Sequence, residues 1–120
     1  MIDTHAHLNF EVFDIDRQEV IERCFTNGIK AMIIPGAKLD SSQSAVVLAD
    51  QYGKIFAAVG LHPIYVEDEE FNITNYRDLA KQKKVVAIGE VGLDYFYRSD
   101  AEFKNKQQKI FEQFIDLAQE

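Results

Sequence analysis

His5 and His7 stand one residue apart near the start of the chain, with Asp3 two residues before the first of them. Side chains of an extended strand alternate between faces, so Asp3, His5 and His7 of a first strand would project from one side. Two imidazoles with a carboxylate behind them suit a divalent metal ion. A polar strand end with two solvated histidines has the same spacing, because His-x-His pairs also arise by chance. The placement of the other polar residues therefore carries the weight.

The third histidine, His62, follows an apolar run over residues 55–61. Glu90 follows another over residues 85–89, with Asp94 just beyond. Residues 1–7, with a short apolar start, and the apolar run 29–34 complete a set of four expected strands. Helices are expected between and after them. Asp14 or Asp16 can cap the first, with Val20, Ile21, Cys24 and Phe25 as its apolar stripe and Asn27-Gly28 as its end. Asp40-Ser41-Ser42 opens the second, which turns Ala45, Val46, Leu48, Ala49 and Tyr52 inward. A third, over residues 73–83, carries Tyr76, Leu79 and Ala80. The last runs from Asp100 to residue 120, with Ile110, Phe111, Phe114, Leu117 and Ala118 at helical spacing.

Strands alternating with helices imply right-handed crossovers and a parallel sheet. The strands are apolar nearly throughout, which predicts burial on both faces. An open doubly wound sheet and part of a (β/α)₈ barrel both fit. The first turn holds His5-Ala6-His7 where a dinucleotide-binding sheet would carry Gly-x-Gly-x-x-Gly, which favours the barrel. In such folds functional residues gather at the carboxyl ends of strands. All three histidines and Glu90 are expected there.

Imidazoles and carboxylates that hold a divalent ion and leave coordination positions open support hydrolysis, because the ion lowers the pKa of its bound water. The two oxygens of Glu90 could bridge two ions about 3.5–4 Å apart, an arrangement suited to phosphoryl transfer. Taken alone, Glu90 also reads as a structural carboxylate bonded to helix amides. His62 is a candidate substrate contact or simply a loop start. Arg98 could meet a phosphate or lie exposed. Asp3 and Asp94 are expected behind the ligands rather than among them. The run Glu67-Asp68-Glu69-Glu70 reads as solvated surface, and Cys24 as core rather than nucleophile.

The 120 residues are enough for one modest domain with a core. A content of 47% hydrophobic and 28% charged residues argues against disorder. Thirteen Lys and Arg against 20 Asp and Glu give a net charge of −7, which does not advertise nucleic-acid binding, although bound metal would supply local positive charge. One cysteine forms no internal disulfide, which favours a reducing, cytoplasmic setting. No signal peptide or membrane-spanning stretch is expected.

Three segments resemble the TatD family of metal-dependent DNases: Asp3-Thr4-His5-Ala6-His7-Leu8, Val59-Gly60-Leu61-His62-Pro63 and Ala87-Ile88-Gly89-Glu90-Val91-Gly92-Leu93-Asp94-Tyr95. The stretch from Gln108 to Ala118 is similar to that family's helix after the fourth strand. The resemblance covers the whole chain. It implies an amidohydrolase-like (β/α)₈ barrel, of which residues 1–120 form the first four β/α units as one N-terminal half. It also implies one or two divalent ions (Mg, Mn or Zn), with His5 and His7 on one metal and Glu90 bridging both. The implied activity is hydrolysis of DNA phosphodiester bonds, often as a 3′-5′ exonuclease.

A complete barrel of this kind needs about 250 residues. The family's later ligands, two histidines and an aspartate, have no counterpart in these 120. Three readings follow. The chain is the first half of a TatD-like nuclease and weak or inactive alone; it hydrolyses another ester or amide; or it is a non-catalytic half-barrel that self-associates through its unpaired strand edges.

Overall fold

The computed structural model describes all of residues 1–120. Four strands, β1 (Ile2–Asp3), β2 (Ala31–Pro35), β3 (Ile55–Val59) and β4 (Val85–Ile88), form one sheet in the order β1-β2-β3-β4. Every neighbouring pair is parallel, with Ile2 opposite Ala31, Met32 opposite Ile55 and Val59 opposite Ile88. The helices α1 (Arg17–Thr26), α2 (Leu39–Gln51), α3 (Ile73–Ala80) and α4 (Ala101–Gln119) follow the strands in turn. This is the run of four consecutive β/α units of a half-barrel. No helix is long and apolar enough to cross a membrane.

Helix starts follow local chemistry. Asn72 and Asp100 cap α3 and α4, their side chains accepting from the Thr74 and Phe103 amides. Asp16 occupies the cap position of α1 without a side-chain cap bond, and Asp14 instead pairs with Arg17 at 2.5 Å. At α2 the Ser41 hydroxyl reaches back to accept from the Ala37 and Lys38 amides, both at 2.8 Å.

One face of the sheet packs on the helices. Met32, Ile34, Ile55, Ala57 and Val59 are buried there with Ile21, Ala45 and Ala49, and Cys24 lies against this cluster as expected. A second cluster under α4 joins Leu61, Val66, Tyr76, Phe103, Ile110, Phe114 and Leu117. Ala118, expected inward, faces solvent, because the apolar stripe of α4 passes through Phe114 and Leu117 and turns away from it.

Burial on both faces, predicted from the apolar strands, is complete on the helix side and partial on the other, where Pro35 and Ala58 are buried. Ile33 and Phe56 are half-buried and Val86 is exposed on the other side. A barrel fills its interior with side chains from opposing strands, and four strands supply one wall of it.

The acidic run is also not uniformly solvated. Glu69 accepts from the Tyr76 hydroxyl at 2.5 Å and from the Leu39 amide at 3.0 Å, tying α3 to the start of α2. A carboxylate suits both the positive end of a helix and the otherwise unpartnered phenol of a buried tyrosine.

Candidate metal centre

β1 is shorter than the expected strand over residues 1–7. Pairing with β2 stops after Asp3, whose carboxylate Oδ1 accepts from the His5 amide at 3.0 Å and turns the chain. His5 and His7 thus stand on the loop beyond the strand, not on one strand face. They converge nonetheless, with Nε2 atoms 3.1 Å apart. His5 Nε2 lies 3.2 Å from Glu90 Oε1, and His7 Nε2 lies 3.3 Å from Glu90 Oε2. The first and fourth strands, at opposite ends of the sheet in order, deliver these three side chains to one point.

Two neighbouring elements hold the histidine loop. Arg17 Nε donates to the Leu8 carbonyl at 2.5 Å and its guanidinium also reaches the Phe10 carbonyl at 3.0 Å. Asn9 Nδ2 donates to the Ser41 carbonyl and the Ser44 hydroxyl, each at 3.0 Å. The Phe10 ring stacks on His7, with centroids 4.5 Å apart. Sequence reasoning missed Phe10, whose one signal is its position three residues after His7.

The Glu90 backbone is fixed with equal economy. Its amide donates to the Gly36 carbonyl at 2.9 Å, and the Gly89 amide donates to Val59 at 2.9 Å. A Cβ on Gly60 would lie 2.7 Å from the Glu90 carbonyl oxygen, and one on Gly36 would lie 2.1 Å from Ser42 Oγ. Only glycine lets these backbones meet so closely. The buried Ser42 hydroxyl in turn bonds both the amide and the carbonyl of Gly60 at 3.2 Å.

The cluster opens into a cleft of about 530 Å³ whose walls include Thr4, His5, His62, Pro63, Glu90 and Asp94. His62 Nδ1 accepts from the Ile64 amide at 3.3 Å, capping the short 3₁₀ helix Pro63–Tyr65. Asp94, on the wall, turns its Oδ1 to accept from the Phe96 amide at 2.9 Å. Arg98 does not line the cleft: it pairs with Glu67 and with Asp100, the latter at 2.5 Å, and the Arg98 bond, followed by the Phe103 amide, holds the Asp100 carboxyl below the usual carboxylate range. A second residue missed by the sequence is Gln107, buried in α4. Its side chain bonds the Asp94 amide, the Asp94 carbonyl and the Pro63 carbonyl, each at 2.9 Å, and so joins the loops after β3 and β4.

The donor set fits a cation. Two imidazole nitrogens 3.1 Å apart repel if both present lone pairs or both present protons. A shared positive charge with a carboxylate opposite relieves that repulsion. One ligand atom from each of His5, His7 and Glu90 falls within 4.8 Å of the others. His7 Nδ1 is buried with no partner, so its Nε2 on the cluster is the nitrogen in use. Two nitrogens and a carboxylate suit Zn²⁺ and Mn²⁺ and leave coordination positions open.

The model of the TatD related DNase family matches residues 2–120. The chain belongs to this family. The metal-dependent hydrolase YabD of Bacillus subtilis is 38% identical over 121 residues, covering 100% of this chain and 47% of that protein. The 3′-5′ ssDNA/RNA exonuclease TatD of Salmonella typhimurium is 32% identical over 124 residues, covering 100% of this chain and 46% of its own length. The crystal structure of the TatD homologue YjjV from Escherichia coli superposes with a TM-score of 0.85 at 30% identity, covering 98% of this chain and 46% of that one. This chain thus spans about half the length of the TatD relatives it matches.

Proposed function

We propose that residues 1–120 are the N-terminal, metal-holding half of a TatD-type hydrolase that cleaves phosphodiester bonds of DNA, acting on single strands from the 3′ end. The observation that carries this reading is the convergence of His5, His7 and Glu90 at the carboxyl ends of β1 and β4. The name of the Salmonella relative supports the nucleic-acid substrate.

Within the cleft, His5 and His7 would present Nε2 to one divalent ion, and Glu90 would contribute carboxylate oxygen, with a second ion within its reach. A bound ion supplies an activated water and polarises a phosphoryl oxygen. Asp3 orients His5 by holding its amide, Phe10 fixes the His7 ring, and Asp94 shapes the wall. His62, on the cleft wall, would touch the substrate. Arg98, engaged by Glu67 and Asp100, would contribute through the loop it fastens.

Three side chains are a sparse ligand set, so the 120-residue chain is expected to bind metal and to cleave weakly or not at all. The test pairs Mn²⁺ or Zn²⁺ titration calorimetry with cleavage of a 3′-labelled single strand. Metal binding lost in His5→Ala supports the reading, and so does cleavage near background. Robust cleavage by this chain, abolished by His5→Ala, overturns the expected weakness. Metal binding indifferent to His5→Ala overturns the site.

The names of YabD and YjjV state a metal-dependent hydrolase and no substrate. They favour a second reading, hydrolysis of another ester or of an amide, which a panel of small esters run with the same ions separates from the first. The uncovered sheet face and the open edges of β1 and β4 also favour self-association of this chain.

A further inference from the structure

The segment that leaves the cleft after Asp94 carries two aromatic rings in water. Phe96 is 85% exposed and Tyr97 is 82% exposed. Neither joins either apolar cluster, while Tyr76, Phe103 and Phe114 are buried. The two rings meet edge to face, with centroids 4.8 Å apart and planes at 87°. One face of one ring is covered by the edge of the other, and the remaining faces meet solvent.

The pair is anchored to the cleft rather than loosely attached. The Phe96 amide bonds the carboxylate of Asp94, a cleft-wall residue, at 2.9 Å, and Gln107 fixes the Asp94 backbone from below. Large flat rings held in solvent beside a phosphodiester-cleaving cleft suit one kind of ligand. Every nucleobase has a π-face, and single strands leave that face free. Duplex DNA hides its bases in the stack, so the same rings would find nothing to hold. A cation stands near: the Lys104 ammonium lies 5.0 Å over the Tyr95 ring, one residue before the pair. It could meet the backbone phosphate of a stacked nucleotide, an attraction this acidic chain otherwise supplies poorly.

We infer that Phe96 and Tyr97 form a stacking platform for the unpaired bases of a single-stranded nucleic acid whose backbone enters the His5–His7–Glu90 cleft. The inference rests on the proposed phosphodiester substrate and adds how single strands are chosen. The platform holds bases without reading them, so it confers preference for strandedness and none for sequence.

The test is aromatic and amide NMR of the isotope-labelled 120-residue chain, with chelator present so that no turnover occurs. The chain is titrated with a thymidine hexamer and with an abasic hexamer of equal phosphate number. The Phe96 and Tyr97 ring signals are expected to shift with the thymidine strand, which binds about tenfold more tightly than the abasic one. Phe96→Ala combined with Tyr97→Ala is expected to remove that difference; both side chains are exposed, so the fold survives. Equal binding of the two strands overturns the platform and leaves the nucleic-acid reading standing. No response to either strand overturns both. A preference for bases that survives the double substitution places the stacking elsewhere and overturns the assignment. Ring signals that move with protein concentration alone identify a second copy as the occupant, which also overturns it.

Discussion

Gln107 and Asp94 hold each other reciprocally: the Asp94 amide donates to Gln107 Oε1, and Gln107 Nε2 donates back to the Asp94 carbonyl, both at 2.9 Å. The same Nε2 reaches the Pro63 carbonyl, so one buried side chain sets the distance between two loops of the cleft. Gln107→Leu keeps the volume and strands these backbone groups. The expected cost is about 1–3 kcal/mol of stability, seen as a lower thermal midpoint, with faster amide exchange at Asp94. Gln107→Glu keeps the acceptor but turns a buried carboxylate oxygen toward the Pro63 and Asp94 carbonyls, and should cost more than Gln107→Leu.

Gly60→Ala tests the close approach behind Glu90. Its Cβ would meet the Glu90 carbonyl oxygen and the Gly89 carbonyl carbon at 2.7 Å, backbone atoms that cannot swing aside. Relief requires moving the segment that aims the Glu90 carboxylate. We expect a stability loss of about 1–3 kcal/mol by denaturant titration, and weaker Mn²⁺ binding by calorimetry. Unchanged metal affinity would show that Glu90 tolerates the shift.

Tyr76 gives the fold an alkaline limit. Burial, and then its hydrogen bond to Glu69, raise the phenol well above its ordinary value of 10.0. The unfolded chain therefore releases this proton first as pH rises. Its contribution is full below about pH 10 and is lost progressively above it. Tyr76→Phe should lower stability at neutral pH by removing the bond to Glu69, and should flatten the alkaline limb of a stability–pH curve.

Open edges predict association. β4 presents an unpaired edge with Val86 exposed, and the adjacent sheet face lacks a cover. Light scattering of the 120-residue chain should show mass rising with concentration. Val86→Lys, placing a charge on that edge, should suppress the rise. A stable monomer at all concentrations would count against this surface as an interface.

The parts of the site legible in the sequence are those where one residue type at one strand end suffices. His5, His7 and Glu90 stood out because they end expected strands, and alternation of strands and helices placed those ends on one side. The mechanism of convergence was not legible. Strand periodicity would have aligned Asp3 with the histidines, whereas Asp3 bonds the His5 amide and ends the strand. Glu69 read as one more solvated acid in a run of four, because nothing local reveals that Tyr76 and Leu39 fold against it. Gln107 was hidden for the same reason. A polar residue among the polar positions of a helix looks exposed until the loops it fastens are in place, and those loops lie 13 and 44 residues away in sequence.

The strand order repeats the order of synthesis, β1 to β4, and α2 and α3 each pack against both the strand before and the strand after them. No strand waits for a later one to be inserted beside it. The half-barrel can therefore assemble vectorially as the chain emerges from the ribosome, each unit templating the next. In that sequence of events the metal centre comes last: His5 and His7 are among the first residues made, and Glu90, their partner across the sheet, arrives only with the fourth unit.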